Sequence, residues 1–140
     1  MVREVVVELP GGDVGPLLPH LDGAAFVNLH PGVDAAEVPP ASSLAGLFGS
    51  RGPIVPLATW TPGEIGLQHG VGQRVTRFLA ERGVPVPDDW YAVAEHPKRG
   101  LVLRTYQTPV RDVLEWLVRA ATATCPLDIT GPWHAVVHPR

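Results

Sequence analysis

The sequence predicts an α+β domain with a ferredoxin-like, split β-α-β core: βαββαβ from about residue 54, after one or two extra N-terminal strands and a long Pro/Gly-rich loop. Three observations predict it. Thr61-Pro62 and Thr108-Pro109 each open a segment of helical apolar spacing, several short runs alternate as strands, and His96-Pro97-Lys98-Arg99-Gly100 joins two of those runs as a hairpin. At 140 residues, the chain has the length of one domain (1–140), with strands and loop over 1–53 and the core over 54–140.

The elements follow in order. Residues 2–9 alternate, with Val5, Val7 and Leu9 on one face and Glu4 and Glu8 on the other, and Pro10-Gly11-Gly12 ends the run. Ala24–His30 is a second strand between Asp22-Gly23 and Pro31-Gly32. Residues 31–53 are rich in Pro, Gly and Ser and read as a loop, either a covering flap or a mobile segment. Residues 54–60 are extended, and Pro56 demotes them to an edge strand or a bulge.

Thr61-Pro62-Gly63-Glu64 has the chemistry of a capping box, with Pro62 at the first helical position. Leu67, Val71, Val75, Phe78 and Leu79 continue at helical spacing to a stop at Gly83. Trp90–Glu95 and Leu101–Tyr106 form the hairpin. The second helix starts at Thr108-Pro109, with Thr108 as its cap, and carries an apolar stripe of Val110, Val113, Leu114, Leu117, Val118 and Ala121, with Trp116 at its border. Pro126 ends the segment, and Trp133–His138 is the closing strand.

Composition limits function. Eleven basic against fourteen acidic residues give a net charge of −3, which argues against nucleic acid or an anionic membrane as partner. No apolar run reaches the roughly 18 residues of a membrane span. Cys125 is the single cysteine, so an internal disulfide and a multi-cysteine metal site are excluded. The N-terminus lacks a signal-peptide pattern, which makes a cytoplasmic location the expectation.

Three places could carry chemistry. The glycine-dense start of helix one offers His69, Gly70, Gly72 and Arg74 to an anion, although close backbone packing is the more ordinary use of glycines four apart. The sheet face turned away from the helices would gather Arg104, Tyr106, His134, His138, Tyr91 and Glu95. There Arg104, Tyr91 and His138 are candidate ligand-binding residues and His134, Tyr106 and Glu95 candidate acid–base catalysts; an ordinary solvated sheet face has the same composition. The basic hairpin tip, Lys98-Arg99, reads as a solvated turn. His134 and His138 lie about 13 Å apart along a strand at about 3.3 Å per residue, too far to share a metal, so neither metal nor cofactor is expected.

The expectation is therefore a small binding domain for a partner protein or a small anionic ligand, with a homo-oligomer left open. The rival is a small enzyme acting on a carboxylate- or phosphate-bearing substrate beneath the 31–53 loop.

Overall fold

The computed structural model describes residues 3–34, 55–71, 74–96 and 100–140. Seven strands form one antiparallel sheet: β1 (Val5–Leu9), β2 (Ala24–His30), β3 (Leu57–Thr61), β4 (Glu64–Gln68), β5 (Tyr91–His96), β6 (Gly100–Arg104) and β7 (Trp133–Pro139). Their spatial order is β1-β7-β2-β3-β4-β6-β5, so β1 and β5 are the edges. Helices α1 (Val75–Glu81) and α2 (Val110–Thr124) and a 3-10 segment at Gly15–His20 complete the regular structure around the sheet.

This overturns the ferredoxin-like βαββαβ expectation. That arrangement would set the closing strand β7 beside β4, giving β7-β4-β6-β5, whereas here β2 and β3 stand between them in a seven-stranded antiparallel sheet. The error starts at Thr61-Pro62-Gly63-Glu64, which is a hairpin connection and not a helix start. Thr61 pairs with Glu64, Gly63 has φ +80°, and the Thr61 hydroxyl donates to the Glu64 carbonyl at 3.1 Å. Pro followed by a positive-φ Gly is what a type II turn demands. Residues 64–68 then form β4, burying Ile65 and Leu67 alternately, and the first helix waits until Val75. Glycine at 66 is costly in a helix and cheaper here, where a Cβ would meet nothing closer than 3.9 Å.

The second helix lies where its periodicity places it, without the expected cap. No side chain caps α2; the Thr108 hydroxyl instead accepts from Trp90 Nε1 at 2.8 Å. Val113, Leu114 and Leu117 are buried against the sheet, together with Val75, Leu101 and Leu103. Trp116, expected at the border of the stripe, is buried too. Its ring meets Trp90 edge-on at 5.1 Å, and its Nε1 donates to the Pro85 carbonyl at 2.9 Å. Pro56 lies just before β3, so it removes no ladder bond, and β3 is an interior strand.

The registers assign the faces. Val27, Trp60, Ile65 and Leu103 form one cross-strand row on the helix side. Val6, Val136, Asn28, Thr59, Gly66, Val102 and Ala94 form a row across all seven strands on the other face. Within it, the Thr59 hydroxyl donates to Asn28 Oδ1 at 2.8 Å. Of the loop at 31–53, only 31–34 is described, and the expected flap falls outside the described residues. At its start Gly32 lies against Gly131, whose N–H donates to the Gly32 carbonyl at 2.8 Å.

Candidate functional site

The open sheet face carries four of the predicted polar residues, His134, His138, Arg104 and Tyr91, spread across its width. Glu8, His134 and His30 form one row over β1, β7 and β2. His138 stacks on Phe26 with ring centroids 4.2 Å apart, and its Nδ1 lies 3.2 Å from a Glu4 carboxylate oxygen. Toward the other side, Thr61, Glu64, Arg104 and Tyr91 form a second row. Arg104 Nε is paired there with Glu64 at 3.8 Å. Partial burial and the neighbouring His134 both hold the His30 imidazole below its ordinary value.

The three candidate acid–base residues do not converge. From β7 to β5 the order runs β7-β2-β3-β4-β6-β5, five strand spacings, or about 24 Å at about 4.8 Å each. His134 and Glu95 therefore stand at opposite sides of the sheet. They also face opposite ways: Ala92 pairs with Leu103 and Ala94 with Val102, so Val93 is the extra residue of a bulge. That bulge sends Glu95 to the helix side, in the row of Leu101, while Tyr91 stays on the open face. Tyr106 lies in the turn after β6 at φ +51°, exposed. Sequence reasoning missed Glu8 and His30; both were on the expected strands, but only the register puts them beside His134.

At the end of β4, His69 is 6% exposed. Its Nδ1 accepts from the Val71 N–H at 3.2 Å, and its Nε2 has no partner among the described residues. Gly70 and Arg74 are exposed beside it, and Gly72 falls outside the described residues. Helix α1 begins after this segment and has fewer than two full turns, a poor anchor for an anion. Burial pushes the His69 pKa down, and the Glu95 charge, the smaller influence, pulls the other way. The unfolded chain therefore binds a proton near pH 6.5 that the folded chain refuses, so this contribution is intact above pH 6.5 and is lost as pH falls. His69→Asn keeps an acceptor for Val71 without titrating. Denaturant midpoints from pH 7.5 to about 5 should fall less steeply in that variant; parallel profiles would remove His69 from the pH dependence.

Strand β5 is exposed along its whole length, on both faces, and among the described residues no strand pairs with its outer edge. Tyr91 is 59% exposed and Val93 47%. Tyr106 and Val110, also exposed, follow β6, the strand to which β5 pairs. Neither Lys nor Pro, the usual guards of an edge, occurs between 91 and 96; the bulge at Val93 and the charge of Glu95 are the protective devices there.

At the opposite side, where β1 ends and β7 begins, a cleft of about 540 Å³ opens between Glu8, Pro10, Thr122, Ile129, Pro132 and Trp133. Among the described residues, no three His, Cys, Asp or Glu side chains are grouped to hold a metal ion, and no helix is long and apolar enough to cross a membrane. No family model, no curated protein and no solved structure matches the chain, so its function is to be argued from this geometry.

Proposed function

We propose that the chain is a small cytoplasmic, non-catalytic binding domain that takes an extended segment of a partner protein on the free edge of β5. The observation that carries this reading is the exposure, among the described residues, of β5 on two faces and one edge, with Tyr91 and Val93 uncovered. An added strand gains main-chain hydrogen bonds along such an edge, and alternate side chains find apolar contacts. Distance supports binding over acid–base catalysis, because His134, Tyr106 and Glu95 do not meet over one substrate. Charge supports a protein segment over a small anion, because Arg104 is paired with Glu64 and Arg77 with Glu81.

Unconstrained peptides displayed as a library and selected on the purified protein test this. Extended, β-branched sequences are expected, and Tyr91→Lys with Val93→Lys should weaken the selected peptides at least about tenfold. Both positions are exposed, so the melting temperature of the double variant should stay close to that of the parent. Selected peptides that bind the double variant equally well, or a selection that yields none, would sink the proposal.

A further inference from the structure

Two imidazoles stand side by side on the open face of the sheet. His30 of β2 and His134 of β7 are direct cross-strand partners, and both are exposed. Directly opposed residues of an antiparallel pair carry their Cβ atoms about 4.5–5.5 Å apart. From that separation each ring can bring one nitrogen to about 2.0–2.1 Å from a shared metal ion. The closeness also marks the His30 pKa, which partial burial lowers first and the His134 charge lowers further. Along β7 the spacing of His134 and His138 excludes a shared ion; across β2 and β7 the pairing of His134 with His30 permits one.

The surroundings of the pair favour a cation. Glu8 of β1 stands opposite His134 in the same row, so a carboxylate flanks the two rings, and no Lys or Arg shares that row. None of the three side chains makes a hydrogen bond or an ion pair among the described residues. Elsewhere on this face His138 is stacked on Phe26 beside Glu4, and Arg104 is paired with Glu64. His30, His134 and Glu8 are thus the uncommitted polar groups of the β1-β7-β2 end of the sheet.

We infer that His30 and His134 chelate one divalent transition-metal ion of the Zn²⁺, Ni²⁺ and Cu²⁺ kind on the open sheet face, with the Glu8 carboxylate as the neighbouring negative charge. Imidazole nitrogen suits these ions, whereas Mg²⁺ and Ca²⁺ seek sets of several oxygens, which this row does not offer. No three His, Cys, Asp or Glu side chains are grouped among the described residues, so two imidazoles hold the ion and its other positions go to water. Such a site binds modestly and stays open to a further ligand. It lies across the sheet from the β5 edge and stands or falls separately from it.

Calorimetric titration of the untagged full chain with Zn²⁺ tests this. One ion should bind with a dissociation constant below about 100 µM, and Mg²⁺ at about millimolar concentration should give no binding heat. His30→Asn and His134→Asn should each weaken Zn²⁺ at least about tenfold. His20→Asn, outside the sheet, should bind as the parent does. His30 and His134 are exposed, so metal-free melting midpoints close to the parent's will show that both variants are folded. Imidazole nitrogen spectra of the parent give a second readout. Of the six histidines, the two that Zn²⁺ moves should be the two whose signals the row variants lack. Parent binding weaker than that limit, parental affinity in either row variant, or movement of other imidazoles instead would each overturn the assignment.

Discussion

Trp116→Ala is expected to lower the unfolding free energy by about 3–5 kcal/mol, the loss usual for a large buried aromatic. The ring is 3% exposed in the middle of α2, packs edge-on against Trp90, and donates its Nε1–H to the Pro85 carbonyl at 2.9 Å. Truncation therefore leaves a cavity and removes the bond between α2 and the segment that leads into β5. Trp116→Phe keeps most of the apolar volume and loses the hydrogen bond, so it should cost about 1 kcal/mol from the bond itself plus a smaller packing loss. Urea unfolding of the two variants, compared through midpoint and slope, separates these effects. A loss below about 1 kcal/mol for the alanine variant would mean that the ring is not part of the core.

Gly100→Ala should destabilise by about 2 kcal/mol or more, because two penalties fall on one residue. Its φ is +104°, a conformation L residues rarely adopt, and a Cβ would stand 2.5 Å from the Leu67 carbonyl oxygen and 3.1 Å from Gln68 Cα. Those are main-chain atoms of β4, which cannot yield without disturbing its pairing with β6. Gly23→Ala is the control: φ is +80° there too, but a Cβ would meet nothing within 4 Å. The difference between the two variants in thermal unfolding reports the close approach of β6 to β4. Equal losses would mean that strain alone counts at position 100.

How far the sequence could be read depended on whether a signal had one structural meaning. Ala24–His30 and the Val113, Leu114 and Leu117 stripe had one, and both elements are present. Thr61-Pro62-Gly63-Glu64 had two. Threonine, proline and glutamate suit a capping box, and proline followed by glycine suits a turn; Leu67 and Val71 are spaced for a helix, but Ile65 and Leu67 are equally spaced for a strand. The glycine cost through 63–72 was the deciding physics, and it favours the strand. Facing was legible on β7, where Trp133, Ala135 and Val137 are buried and His134 is exposed. It failed on β5, because nothing local announces the bulge at Val93 that turns Glu95 to the other side. The strand order left no local trace at all, so the distance between His134 and Tyr106 could not be read.

Strand β7 lies between β1 and β2, and among the described residues it is the only strand that pairs with β1. Val5 therefore finds its partner in Val137, nearly the whole chain away. Closing a loop of that length costs about 2 kcal/mol more in entropy than closing a ten-residue hairpin, before any ladder bond offsets it. The β2–β3–β4 meander can assemble from neighbouring segments, but β1 and the inner edge of β2 have no place in the sheet until residues 133–139 arrive. On the ribosome those edges emerge first and stay open longest, the condition in which strands pair wrongly with other chains. A slow, late folding step governed by the insertion of β7 is thus built into the strand order, whatever the stability of the finished sheet.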